Sequence, residues 1–91
     1  MVFDVNGNNV SPHKISVTFW SFPELKQFQF IQEEIGYTVL ITERESFNRE
    51  DELIKKLKDV LGEEAMITIE KVESIPSLNS GKRKYIINKA L

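Results

Sequence analysis

Residues 26–42 alternate apolar and polar side chains on both sides of a short turn, and this pattern restricts the fold more than any other. Lys26-Gln27-Phe28-Gln29-Phe30-Ile31-Gln32 puts Phe28 and Phe30 on one face. Tyr37-Thr38-Val39-Leu40-Ile41-Thr42 puts Tyr37, Val39 and Ile41 on one face, and residues 33–36 turn between the two runs. A side-chain period of two marks half-buried strands, and so short a connection makes them antiparallel neighbours. The expectation is a hairpin with an apolar face on the core and a second face polar enough to meet water.

The flanking segments supply the rest of a small domain. Val2-Phe3-Asp4-Val5 and Val10 read as a second hairpin around Asn6-Gly7-Asn8-Asn9, because Asn-Gly tolerates the positive φ of tight turns. Ser11-Pro12 is a helix start, a hydroxyl cap followed by proline at the first helical position. The residues after it are ambiguous. Ile15, Val17 and Phe19 alternate like a strand, whereas Ile15, Phe19 and Phe22 share a helical face. The cap favours a helix, ending before Pro23. A second helix follows Asn48 as its expected cap, with Glu50, Asp51 and Glu52 at the positive end of its dipole. Leu53, Ile54, Leu57, Val60 and Leu61 form its buried stripe, and Gly62 stops it at a left-handed position. Met66-Ile67-Thr68-Ile69-Glu70-Lys71-Val72 is a third main strand, Ile75-Pro76 breaks it, and Tyr85-Ile86-Ile87 is a short strand or a helical turn. The expected class is α+β: a small antiparallel sheet of about three main strands plus an N-terminal hairpin, with two helices packed on it.

Composition limits function. With 91 residues, 41% apolar, the chain supports one core and one domain. It has no cysteine, which excludes disulfides, a thiolate nucleophile and cysteine-ligated metals. One histidine, His13, cannot build a multi-histidine site, and its first-turn position suits a surface imidazole. Twelve bases against 14 acids leave a net charge of -2, which argues against nucleic acid as a partner. No apolar run reaches the ~18 residues of a membrane span, and Met1-Val2-Phe3-Asp4 lacks the basic start of a signal peptide. The expected compartment is the cytoplasm, with no membrane partner.

The last segment breaks the charge balance. From Pro76 to Leu91 there are four bases, Lys82, Arg83, Lys84 and Lys89, and no acid. Lys82 follows Ser80-Gly81, a polar loop on which an ammonium can approach an anion and glycine lets the backbone come close. This is not a Walker phosphate loop: Pro76 stands where the first glycine belongs, and Arg83 where Ser or Thr belongs. On composition alone a solvated basic tail is the preferred explanation.

Ile75-Pro76-Ser77-Leu78-Asn79-Ser80-Gly81-Lys82 resembles the C-terminal signature of adenylate-forming enzymes, the acyl-CoA synthetase superfamily. Arg83-Lys84-Tyr85-Ile86-Ile87-Asn88-Lys89 is similar to the branch of phenylacetate-CoA ligases and capsular polysaccharide biosynthesis proteins. Asp4-Val5-Asn6-Gly7-Asn8-Asn9-Val10-Ser11-Pro12 resembles the opening of the C-terminal domain there, and Phe28-Gln29-Phe30-Ile31-Gln32 the strand after its first helix. The resemblance runs in order over nearly the whole chain.

It implies that residues 1–91 are a single C-terminal lid domain, without the large N-terminal domain that binds ATP, Mg and the carboxylic acid. The lid supplies a lysine, here Lys82, held by Ser80 and Gly81, to acyl-adenylate formation. It then rotates for thioester formation, with coenzyme A as a candidate acceptor. Such a fragment is inactive by itself. Two departures limit the transfer. Ser77 replaces an arginine common after the proline, and the interdomain hinge is absent here or truncated, so the hinge role is not carried onto Asp4.

The remaining candidates have local explanations. Phe19, Trp20, Phe22, Phe28 and Phe30 serve mainly as core, with a few left to cover a missing domain. Glu33-Glu34 and Glu50-Asp51-Glu52 sit at a turn and a helix start, where acids belong for local reasons. The alternative function is a free-standing α+β binding module without catalysis.

Overall fold

The computed structural model describes residues 2–75 and 86–88. Two short strands open the chain, β1 (Val2–Phe3) and β2 (Asn9–Val10), paired antiparallel with Val2 opposite Val10. Between them Gly7 takes φ +82 and donates its N–H to Asp4 O. Asn6 stays at negative φ, so the turn is wider than the two-residue type that Asn-Gly favours. The Asp4 carboxylate fills this loop by accepting from the Asn6 and Asn8 N–H groups. Val5 lies outside the strand; its N–H donates to Leu61 O at the end of the second helix.

The ambiguous segment is helical. Helix α1 (Pro12–Trp20) is capped by the Ser11 hydroxyl, which accepts from the His13 N–H at 3.2 Å. Helix α2 (Glu50–Leu61) buries Leu53, Leu57 and Leu61, with Ile54 and Val60 half-buried beside them. Its N-cap residue is Arg49, not Asn48, and no side chain caps it. The Arg49 guanidinium, a donor only, does not cap it; it bridges Glu52 one turn on at 2.9 Å and Glu24 at 3.2 Å, tying the helix start to the residue before β3. Gly62 ends the helix at φ +114, ψ 150, an extended positive-φ conformation rather than the left-handed helical one expected.

Four strands form the main sheet: β3 (Leu25–Gln32), β4 (Tyr37–Glu43), β5 (Ile67–Lys71) and β6 (Ile86–Asn88), in the order β5-β4-β3-β6. The class is α+β, but the sheet is mixed where an antiparallel one was expected. Only the central pair β3/β4 is antiparallel; β5 runs parallel to β4, and β6 parallel to β3. The reason lies in the connections. Helix α2 carries the chain back to the end where β4 began, so the next strand must run in the same direction.

One sheet face carries Phe28, Phe30, Tyr37, Val39, Ile41, Ile67, Ile69 and Ile86 towards both helices, and these join Ile15, Phe19, Leu53, Leu57 and Leu61 in one core. A bulge between Leu25 and Gln27 brings Leu25 onto the same face as Phe28, which strict alternation would forbid. The opposite face is drier than expected: Gln29, Ile31 and Thr42 are all buried there. The loop before α2 adds Phe47, fully buried, its ring edge-on to Phe22 at 5.7 Å.

Candidate functional site

The expected site residues Ser80, Gly81 and Lys82 lie outside the described residues. What the structure describes is the frame on either side of them. Ile75 is buried before the segment, and β6 takes up the chain after it, with Ile86 in register with Phe30. Lys82 precedes Ile86 by four residues, a reach of about 14 Å at full extension.

Gln32 anchors β6. Its Oε1 accepts from the Phe3 N–H at 2.9 Å and from Asn88 Nδ2 at 3.3 Å. The Tyr37 hydroxyl donates to Phe3 O at 2.6 Å, so side chains of β3 and β4 hold both polar groups of one β1 residue. Burial raises the Tyr37 phenol above its usual range, and the negative charge of Asp4 adds to the shift. No periodicity in the sequence singled out Gln32 or Tyr37 for this; a long polar side chain at a strand end was the only available signal.

A second feature lies where α1 meets the bulged start of β3. Phe19, Trp20, Phe22, Pro23 and Phe28 line an open groove of about 470 Å³, together with Lys26 and Arg44 and no carboxylate. Phe19 stacks on Phe28 with centroids 4.0 Å apart and planes 5° off parallel, giving the groove a firm wall. Trp20 is 66% exposed and lies outside the core. Such a surface can hold a planar or apolar group beside two cations. Phe19, Phe22 and Phe30 are core, as expected, and Phe28 is half-buried.

The remaining charges are used structurally. Lys71 Nζ pairs with Glu43 at 2.9 Å, approaches Glu50 at 3.7 Å and donates to Phe47 O at 2.7 Å, tying β5 to the loop before α2. The Glu43 carboxylate is the main cause of the raised Lys71 pKa. Glu52 and then Glu24 raise that of Arg49. The Glu24 carboxyl is lowered, first by a hydrogen bond from its own backbone, then by Arg49 against the opposing effect of burial. Glu52 thus does local work, as expected of an acid at a helix start, whereas Glu50 lies beside Lys71 of β5. His13 is exposed, edge-on to Trp20 at 5.8 Å. Among the described residues no three metal-ligating side chains converge, and no helix is long and apolar enough to cross a membrane.

Hairpin, capped helix, mixed sheet and crossover helix together define a small α+β domain. The fold matches a domain of phenylacetate-coenzyme A ligase from Bacteroides vulgatus ATCC 8482, with a TM-score of 0.66 over 98% of this chain and 92% of that one, at 20% identity. The sequence is more specific. Residues 2–89 match the family model of the CapK C-terminal domain, and the chain belongs to that family. No curated protein matches it. Family and fold together bear out the resemblance to the C-terminal domain of an adenylate-forming ligase.

Proposed function

We propose that this chain is the lid of an AMP-forming ligase that activates a carboxylic acid with ATP in the cytoplasm. A large N-terminal domain of the same protein would bind ATP, magnesium and the acid; the described residues of this chain offer no cluster fit for the metal. In the first half-reaction a carboxylate oxygen attacks the α-phosphorus and pyrophosphate leaves. Lys82 acts there as a fixed cation between the carboxylate and the α-phosphate or ribose oxygens, while charge moves towards pyrophosphate. It transfers no proton, so its pKa needs no lowering. In the second half-reaction a thiol, coenzyme A as first candidate, attacks the acyl carbon and AMP leaves.

The observation that carries this reading is the family match over residues 2–89, which spans the Ser80-Gly81-Lys82 pattern. The test is pyrophosphate release by the full-length protein over a panel of aryl and aliphatic acids, with Lys82→Ala alongside. Loss of one preorganised charge contact lowers the rate by about 10²–10³. Undiminished adenylate formation in Lys82→Ala overturns the assignment and returns the chain to the binding-module reading.

A further inference from the structure

The groove between the end of α1 and the start of β3 is furnished beyond what packing needs. The chain leaves α1 through two successive tight turns, with the Phe22 N–H donating to Phe19 O at 3.0 Å and the Leu25 N–H to Phe22 O at 3.1 Å. These turns set Pro23 and the Phe19–Phe28 stack around an opening of about 470 Å³, within the range of small-molecule sites. Trp20 lies at the same opening, 66% exposed, with the His13 ring edge-on to it at 5.8 Å. An exposed indole beside a stacked aromatic pair offers a planar ligand a surface to lie on.

Two cations line the groove, Lys26 and Arg44. Lys26 is the extra residue of the β3 bulge, where the register shifts between Leu25 and Gln27, and bulges re-aim side chains beside binding sites. Arg44 follows the last residue of β4, and Glu24 O accepts its N–H at 2.7 Å and that of Glu45 at 3.2 Å. Its backbone is therefore pinned. Among the described residues neither cation pairs with a carboxylate, because Glu24 is held by Arg49 and Glu43 by Lys71. No described carboxylate lines the groove either. In a chain of net charge -2, two uncompensated cations beside an aromatic wall select an anion.

We propose that this groove is a binding site for an aryl carboxylate. The ring lies against Trp20 and the Phe19–Phe28 stack. The planar fork of Arg44 takes the carboxylate through two parallel N–H bonds, and Lys26 adds a point charge. A nucleotide fits less well, because no described carboxylate lines the groove to accept from ribose hydroxyls. The site lies on this domain itself and does not rest on the lysine reading above.

The 91 residues close their own core, so binding is measured on this chain. Trp20 is its one tryptophan, and the indole N–H gives a single nitrogen–proton NMR signal. Naphthoate should shift that signal saturably, with a Kd of about 0.1–1 mM for so small a ligand in an open groove. Naphthalenemethanol keeps the ring without the charge, and acetate the charge without the ring; each should bind at least about 10-fold more weakly. Arg44→Gln should weaken naphthoate about 10- to 100-fold, and Lys26→Gln about 2- to 5-fold. Trp20→Ala, followed at the Arg44 amide, should abolish saturation. Lys55→Gln, which removes an exposed cation of α2, should leave the affinity unchanged. Lys26 and Arg44 are exposed, so their variants keep the fold, and unmoved core signals check this.

A flat naphthoate titration up to about 10 mM overturns the proposal. So does naphthalenemethanol binding as tightly as the acid, or wild-type affinity in Arg44→Gln. AMP binding more tightly than naphthoate would mark a nucleotide site and overturn the aryl-acid assignment.

Discussion

Gly62→Ala is expected to be among the most damaging single-methyl changes in this domain. Gly62 sits at φ +114 and ψ 150, a region occupied almost only by glycine, where another residue costs about 1–3 kcal/mol. A Cβ there would also clash with Val5 Cγ2. The second cost is the smaller one, because Val5 is exposed and can leave its rotamer for about 0.5–1.5 kcal/mol. The Val5 N–H bond to Leu61 O makes any recoil act on the end of α2. For a domain of this size, at about 5 °C per kcal/mol, the sum lowers Tm by about 8–24 °C. Urea unfolding followed by far-ultraviolet circular dichroism measures it, in a cycle with Val5→Ala. The double variant should recover the clash and not the backbone cost, leaving a deficit of about 1–3 kcal/mol. A Gly62→Ala protein within about 0.5 kcal/mol of wild type refutes the conformational argument. Full recovery by Val5→Ala shows that only the contact mattered.

Three further outcomes follow from individual contacts. Tyr37→Phe removes the bond to Phe3 O and should cost about 0.5–1.5 kcal/mol, read as a lower urea midpoint with unchanged m. Because the folded Tyr37 phenol titrates above its unfolded value, wild type should lose stability as pH rises from about 10 through the raised pKa, and the phenylalanine variant should lack that loss. Glu24 is the opposite case: its lowered carboxyl stabilises the fold above the unfolded pKa of 4.5, and this is lost as pH falls through the folded value. The acid limb of the stability–pH curve should therefore be shallower in Glu24→Gln; an unchanged limb contradicts the lowered Glu24 carboxyl. Ser11→Ala should cost about 1 kcal/mol by thermal melting, and Ser11→Asp should restore it.

Local signals in the sequence proved readable wherever one residue type decides the geometry. Ser11-Pro12 settled α1 against the strand-like alternation of Ile15, Val17 and Phe19, because a satisfied cap at the proper place outweighs a short periodic run. The β3/β4 hairpin and its core face followed from period two. What escaped was set by distant parts of the chain. The bulge at Lys26 slips the register by one residue, which alternation cannot announce. Parallel pairing of β5 and β6 depends on where connections return the chain, not on composition. Arg49 rather than Asn48 stands at the N-cap, and its partner Glu24 lies 25 residues earlier, beyond any local signal. Phe47, in the loop before α2, is fully buried, and an aromatic ring flanked by polar residues carries no periodicity to announce it. At the candidate site the lysine pattern was legible as a local string, whereas the Gln32 junction joins residues 29 and 56 positions apart.

The outermost strand has a consequence for how the protein is made. Phe30 pairs with Ile86, so the sheet's edge is completed by residues synthesised 56 positions after its partner. Until they arrive, β3 presents an open edge, the kind of surface on which nascent chains pair wrongly with each other. Closing that loop carries an entropic cost that grows with its length, and contacts of such long range place folding towards the slow end for a small domain. A stalled or clipped chain ending before Ile86 is thus expected to retain the helices and the β3/β4 hairpin and to be sticky.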